Sequence, residues 1–222
     1  MNPSPSPFPL SAIILAAGAS SRMKSGLGAH KLFLQFPNGK TVLQTTLERY
    51  SALPFAEILL VVPEQDFFLT THFPRVRIVV NPEAESGMAS SLQSGVNAAS
   101  ETSIGYCIAL ADMPFVRSET LVMLCEKFLD KARMDKSSSD AICVPSCEGK
   151  RGNPVIIGAT HKQDLMRLQG DTGAKSVLQR FSDNVISVET RDDGVLRDID
   201  TKEDWEQQSF RPTVTRPLPT SS

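Results

Sequence analysis

The sequence predicts an α/β protein with a mostly parallel sheet, and three observations lead to that fold class. Short apolar runs alternate with helical patterns, as in folds where helices connect successive strands. Several runs, such as EILLVV (57–62), have the nearly continuous apolar character of strands that are covered on both faces. The first run, AIILAA (12–17), ends abruptly at Gly18 and is followed by small polar residues.

The order of the elements follows from these runs. Seven strands are predicted, at 12–17, 57–62, 76–80, 106–110, 140–144, 154–157 and 185–189. Helical patterns fill the intervals, at 41–52, 64–72, 89–99, 117–133, 160–168, 174–181 and 201–208. In such a sheet, ligands bind beyond the carboxyl ends of the strands, so the loops that follow strands are where chemistry is expected.

The chain ends differ in composition from the rest. Proline at alternate positions predicts a disordered leader over 1–10, and the Pro/Ser/Thr-rich end predicts a flexible tail over 209–222. Between them there is no repeat and no linker, so 11–208 is predicted to form a single domain.

The bulk composition excludes several classes of function. Of the 222 residues, 41% are hydrophobic and 22% are charged, with a formal net charge of -2. That balance argues against nucleic acid or an anionic membrane as a partner. No apolar run is long enough to span a bilayer, and the four cysteines form no disulfide framework. We therefore expect a cytoplasmic protein with free thiols.

A basic, glycine-containing loop follows the first predicted strand. No Asp or Glu occurs between Met1 and Leu47, whereas Arg22, Lys24 and Lys31 lie in or beside the loop. Glycines at 18, 26 and 28 let the backbone approach an anion. The loop therefore suits a polyphosphate, although it matches neither the Walker nor the dinucleotide-binding pattern. A solvated basic loop without a ligand has the same composition.

Acidic residues stand at two points where strands end or helices begin. Asp112 lies two residues beyond the predicted strand 106–110, in LADMP, which suits a metal ligand. Asp198 and Asp200 share one face of an extended segment, so Ile199 is expected to point into the core. Each acid could equally be a helix or turn cap. Together with a polyphosphate loop they indicate a Mg²⁺–nucleotide site.

Six motifs occur in order along nearly the whole predicted domain: LAAGASSRM with a later lysine, GMASSL, LADMP, RGNPV, GDTGAKS and DIDTKEDW. Together they resemble the nucleotidyltransferases of the molybdenum cofactor cytidylyltransferase type, in the MobA-like NTP transferase family. The resemblance implies a Rossmann-like three-layer α/β sandwich, similar to nucleotide-diphosphosugar transferases. It also implies the reaction. CMP would move from CTP to the terminal phosphate of molybdopterin, with release of pyrophosphate and with Mg²⁺, or Mn²⁺, as cofactor.

The same resemblance implies roles for individual residues. Arg22, Lys31 and Asp112 would be catalytic, and Asp112 and Asp200 would hold the metal. The nucleotide would contact Leu15, Ala16, Ala17, Gly18, Arg22, Lys31, Gly87, Met88 and Ser91. The acceptor side would be formed by Asn153, Pro154, Asp171, Gly173 and Asp198. A molybdenum enzyme that receives the product is a further implied partner.

Three positions bear on the substrate. Ala17 gives LAAG rather than LAGG, which favours the cytidylyl branch because a methyl group there leaves less room for a purine. The segment KSGLGAH separates Met23 from Lys31 and is longer than is usual in the family, so Lys24 is an alternative phosphate ligand. Asn153 stands where histidine is frequent, which leaves the acceptor open. Guanylyl transfer, another phosphorylated acceptor and a cofactor-delivery module remain alternatives.

Overall fold

A computed structural model describes residues 8–16, 31–63, 73–134, 140–200 and 204–206 of the chain. Within these residues eight strands form one sheet: β1 (Phe8–Leu15), β2 (Phe55–Val62), β3 (Val76–Val80), β4 (Gly105–Leu110), β5 (Ile142–Cys147), β6 (Lys150–Arg151), β7 (Val155–Gly158) and β8 (Val185–Glu189). The helices are α1 (Val42–Ser51), α2 (Met88–Ala98), α3 (Ser118–Met134), α4 (Lys162–Leu165) and α5 (Lys175–Arg180). The predicted α/β class with a mostly parallel sheet is confirmed.

The strands lie in the order β3-β2-β1-β4-β7-β5, and both β6 and β8 pair with β5. Pairing is parallel between β1 and each of β2 and β4, between β2 and β3, and between β5 and β8. Strand β7 runs antiparallel to β4 and β5, and β6 runs antiparallel to β5. The apolar pattern predicted a strand at 154–157 but carries no information about its direction.

Strand β1 is buried on both faces because helices cover the sheet on each side. Ala12 and Ile14 belong to one apolar cluster, which includes side chains of α1 and α3. Ile13 and Leu15 belong to a second cluster, which includes side chains of α2 and α5. This alternation along one strand produces the three-layer sandwich.

Several boundaries differ from the predicted ones. Strand β1 begins at Phe8, inside the segment predicted as a leader, because Leu10 is fully buried and pairs with Gly105. The helix predicted at 160–168 is a 3-10 turn (Ala159–His161) followed by the short α4. The predicted helix at 64–72 lies outside the described residues, and of the one at 201–208 only 204–206 is described, as helix. In the part of the chain that is described, no helix is long and apolar enough to cross a membrane.

A polar network ties the amino ends of the strands to the end of α2. One Glu57 carboxylate oxygen accepts hydrogen bonds from the Ser11 hydroxyl at 2.6 Å and from the Ser100 N–H at 2.5 Å. The other accepts from the Arg77 guanidinium at 3.0 Å. Partial burial acts to raise the pKa of Glu57, but these hydrogen bonds and the Arg77 charge outweigh it and lower the pKa.

We predict that Glu57→Gln lowers the free energy of unfolding at pH 7 by about 1–2 kcal/mol, because a charged acceptor is replaced by a neutral one. Since the pKa in the folded state is lowered, this stabilisation is present above the ordinary value of 4.5 and is lost as the pH falls through the folded-state pKa. Urea unfolding of both proteins from pH 7 to pH 3 measures it. A difference that does not shrink at low pH contradicts the assignment.

Candidate active site

Asp112 lies in the turn after β4, at the edge where the parallel strands end. The turn is anchored by the Ala111 N–H, which donates to the Leu15 carbonyl at 3.0 Å, and the Met113 N–H, which donates to the Leu110 carbonyl at 3.3 Å. Ala111 and Met113 are buried, 1% and 5% exposed, so the chain is held on either side of Asp112. The sequence-predicted location of this carboxylate, just beyond a strand, is therefore correct.

The late acidic segment, Asp198 to Asp200, is fastened beside Asp112. The Ile199 N–H donates to the Asp112 carbonyl at 3.0 Å, and the Ile199 side chain is fully buried in the core. The flanking Asp198 and Asp200 are exposed. The predicted alternation, with Ile199 inward and the two acids outward, is confirmed.

Lys31 joins the two acidic segments. Its Nζ lies 2.7 Å from Asp112 Oδ2 and 2.9 Å from Asp200 Oδ1, and the residue is only 6% exposed. Burial acts to lower the pKa of Lys31, but the Asp112 charge and the hydrogen bonds to both carboxylates outweigh it, so the pKa is raised. The ammonium group therefore stays charged. It neutralises part of the charge of Asp112, Asp198 and Asp200, which together form the acidic cluster.

Negative charge exceeds positive charge among the described groups of this cluster. The pKa of Asp198 is raised by partial burial, then by the charges of Asp200 and Asp112, while Lys31 acts in the opposite direction. Asp112 Oδ1 is buried and has no hydrogen-bond partner among the described residues. An orphaned carboxylate oxygen in an excess of negative charge fits a cation ligand.

The cluster has the donors that a divalent cation requires. Carboxylate oxygens are the ligands that Mg²⁺ and Mn²⁺ prefer, and Mg²⁺ in nucleotide sites takes one or two carboxylates together with phosphate oxygens. Asp112 and Asp200, the pair predicted to hold the metal, both contact the Lys31 ammonium. Across the described ranges, no three His, Cys, Asp or Glu side chains converge as a complete ligand set.

A second group of predicted residues meets at the first turn of α2. Gly87 has a φ of +115°, and a Cβ there would lie 2.6 Å from the Gly170 carbonyl, so only glycine fits. The Met88 N–H donates to Asp171 Oδ1 at 3.2 Å, and the Ala89 N–H donates to the Gly170 carbonyl at 2.9 Å. Predicted nucleotide-side and acceptor-side segments are therefore in direct contact.

Asn81, which the sequence analysis missed, organises the same turn. It follows β3, is 2% exposed, and its Nδ2 donates to the hydroxyls of Ser90 and Ser91, each at 3.0 Å. Its Oδ1 accepts from the Glu83 N–H at 3.1 Å. The available signal was a polar residue directly after a strand, at the edge where Asp112 lies.

The remaining predicted residues lie as follows. Leu15 and Ala16 are buried at the end of β1, and the Ala16 N–H donates to the Val61 carbonyl at 2.9 Å. Gly173, with a φ of +51°, lies against the Met88 side chain. Asn153 precedes a cis peptide bond to Pro154. Ala17, Gly18 and Arg22, together with Lys24, lie outside the described residues.

Asp192 was also missed, although it fastens the late acidic segment to the loop after Asp112. It is 3% exposed, and its Oδ2 accepts from the Arg117 N–H at 2.8 Å and from the Thr120 hydroxyl at 2.7 Å. Its Oδ1 accepts from the Gly194 N–H at 3.0 Å. No local pattern indicates this role, because Arg117 and Thr120 lie 75 and 72 positions away along the chain.

Asn153 is connected to the same turn. Its N–H donates to the Val195 carbonyl at 2.9 Å. Val195 belongs to the 3-10 turn Asp193–Leu196, and Asp192 is the N-cap of this turn. The motif RGNPV is therefore joined to the segment that carries Asp198 and Asp200. This contact links the predicted acceptor side to the acidic cluster through the backbone.

We predict that Asp192→Asn lowers the free energy of unfolding by about 1–3 kcal/mol, because an amide NH₂ must then face a hydrogen-bond donor in a buried site. Asp193→Asn is the matched control, since the Asp193 carboxylate is 62% exposed and pairs with Arg197 at 3.4 Å. Thermal unfolding of both variants measures the difference. Equal effects of the two substitutions would contradict the anchoring role of Asp192.

Comparison with known families adds to this geometry. The model of the MobA-like NTP transferase domain matches residues 12–185. Nicotine blue oxidoreductase of Paenarthrobacter nicotinovorans is 27% identical over 194 residues, covering 86% of this chain and 92% of that protein. The purine catabolism protein PucB of Bacillus subtilis is 28% identical over 212 residues, covering 90% of this chain and 96% of that protein. Because these descriptions name different processes, the similarity identifies a family and leaves the substrate open.

Solved structures share the fold. A nucleotidyl transferase from Methanothermobacter matches with a TM-score of 0.72, 24% identity and coverage of 89% of this chain and 94% of that one. The manganese complex of Rv0371c from Mycobacterium tuberculosis matches with a TM-score of 0.65 and 22% identity, covering 89% of this chain and 96% of that one. The molybdopterin-guanine dinucleotide biosynthesis protein A of Archaeoglobus fulgidus matches with a TM-score of 0.60 and 17% identity, covering 89% of this chain and 95% of that one.

Proposed function

We propose a specific reaction on the premise that this chain belongs to the MobA-like NTP transferase family, whose domain spans most of its length. It transfers CMP from CTP to the terminal phosphate of molybdopterin and releases pyrophosphate. A phosphate oxygen of the acceptor forms a bond to the α-phosphorus of CTP, and the bond from that phosphorus to the pyrophosphate oxygen breaks. The observation that carries this proposal is the carboxylate pair Asp112–Asp200, with the orphaned Asp112 Oδ1, at the carboxyl edge of the sheet.

Nucleotidyl transfer depends on alignment and charge neutralisation more than on covalent chemistry. Asp112 and Asp200 would hold a divalent cation, Mg²⁺ or Mn²⁺, and the bound cation supplies Lewis-acid stabilisation of phosphate charge. Lys31 and Arg22 neutralise the departing pyrophosphate. No general base is needed, because the acceptor phosphate monoester is already ionised near neutral pH.

Support for the individual substrates comes from different parts of the chain. Ala17, in LAAG, favours CTP over a purine nucleotide, because its methyl group leaves less room for a purine. The six motifs favour a molybdopterin acceptor, and a neighbour in fold is a protein of molybdopterin-guanine dinucleotide biosynthesis. The contact between the α2 turn and the Gly170–Asp171 loop supports a site in which nucleotide and acceptor lie side by side.

We predict that Asp112→Asn reduces turnover by about 100-fold or more, because an amide is a poor ligand for a divalent cation and leaves the phosphate charge less stabilised. Pyrophosphate release from CTP in the presence of molybdopterin measures turnover, and circular dichroism checks that the fold persists. Asp193→Asn, on the exposed turn, is the charge-matched control and should retain activity. A folded and fully active Asp112→Asn protein would remove the metal assignment.

We also predict that CTP with Mg²⁺ raises the melting temperature more than GTP, ATP or UTP does. At a ligand concentration of 100 times Kd the stabilisation is about 2.7 kcal/mol, or about 5–10 °C for a chain of this size. Differential scanning fluorimetry with each nucleotide, with and without Mg²⁺, measures it. Selectivity for GTP would move the protein to the guanylyl branch, and the absence of any shift would favour a cofactor-delivery module.

A further inference from the structure

We propose that the Lys31 ammonium group is the resident counter-ion of the Asp112–Asp200 pair, so that a divalent cation binds this pair only when a triphosphate takes Lys31 away from it. The metal would then enter together with the nucleotide and would bind poorly to the free protein. This inference rests on the proposed function, because it assigns an order of binding to the same site.

One ammonium group already spans both carboxylates. Lys31 Nζ is within hydrogen-bond distance of Asp112 Oδ2 and Asp200 Oδ1, at 2.7 and 2.9 Å. One oxygen of each carboxylate therefore contacts the same nitrogen. A divalent cation bound to both of them would be a close neighbour of the ammonium, and like charges at that distance repel strongly in a partly buried site.

The Lys31 side chain can move while its backbone stays in place. Lys31 begins the 3-10 turn Lys31–Phe33, and Leu32 is 1% exposed and belongs to the core. The Leu34 N–H donates to the Lys31 carbonyl at 3.3 Å, and the Leu34 carbonyl accepts from the Val42 N–H at 3.0 Å. The charge is carried by a flexible four-carbon side chain, unlike the planar fork of arginine.

The exchange must also balance charge. The carboxylates of Asp112 and Asp200 both contact the Lys31 nitrogen, at 2.7 and 2.9 Å, so they repel each other once the ammonium leaves. A cation must replace Lys31, and Lys31 must find another anion. A triphosphate that brings its own divalent cation meets both conditions at once, since phosphate oxygens complete the coordination of Mg²⁺.

The consequence is a reciprocal coupling between nucleotide and metal. If Lys31 must leave the carboxylates before the metal binds, nucleotide raises the affinity for metal and metal raises the affinity for nucleotide by the same factor, and such couplings are typically about 5–150-fold. Removal of the Lys31 charge should abolish the competition. The free protein should then bind metal without nucleotide.

The test is the affinity for free Mn²⁺, measured by the loss of its electron paramagnetic resonance signal on binding, in the absence of nucleotide. We expect Lys31→Met to bind Mn²⁺ about tenfold more tightly than the original protein, within the usual range of such couplings. Lys40→Met is the matched control, because Lys40 pairs with Glu48 at 2.7 Å on an exposed surface, and its Mn²⁺ affinity should be unchanged. If Lys31→Met does not fold, Lys31→Gln keeps a hydrogen-bond donor without the charge.

The possible results separate the two proposals. Equal Mn²⁺ affinity of the original protein and the Lys31 variant, with both binding, overturns the competition and leaves the metal site standing. Equal tightening by Lys31→Met and Lys40→Met also overturns it, because the effect is then general electrostatics. If adding Asp112→Asn to the Lys31→Met protein leaves its Mn²⁺ affinity unchanged, the metal site itself is wrong, and the proposed function fails with the inference.

Discussion

Burial of strand β1 on both faces is the constraint on which the site depends. Ile13 and Ile14 contribute to cores on opposite sides of the sheet, and β1 lies inside the sheet with β2 and β4 as parallel neighbours. Its last residue, Leu15, is therefore level with Val61 and Leu110, and the turn that carries Asp112 is placed at that edge. The position of the acidic cluster follows from this arrangement.

Core contacts hold the acidic cluster of Asp112, Asp198 and Asp200 in place. Buried Ile199 and its hydrogen bond to the Asp112 carbonyl bring two acidic segments together, and buried Asp192 fixes the turn before them. Carboxylates that are held side by side in this way repel each other and favour a cation. Lys31 supplies that positive charge in the free protein, while the buried Asp112 Oδ1 accepts no hydrogen bond from the described residues.

Motifs that lie far apart along the chain are in contact in the fold. The family resemblance assigns one segment to the nucleotide and another to the acceptor. The two meet at Gly87, where the Gly170 carbonyl leaves no room for a side chain. The sequence predicted both segments but not their contact, because the residue pattern of each segment does not indicate its partner in the fold. Asn81, which holds the same turn through Ser90 and Ser91, has no distinctive pattern apart from its place after a strand.

The sequence by itself determined the α/β class, most strands, the inward direction of Ile199 and the acids at the strand ends, because periodicity and strand endings depend on neighbouring residues. The tertiary structure decided the reversed direction of β7, the anchoring by Asp192 and the partners of Lys31. Lys31 is 81 positions from Asp112 and 169 from Asp200, and no local pattern encodes a pairing over such separations. Only the packing of the sheet brings these three charges together.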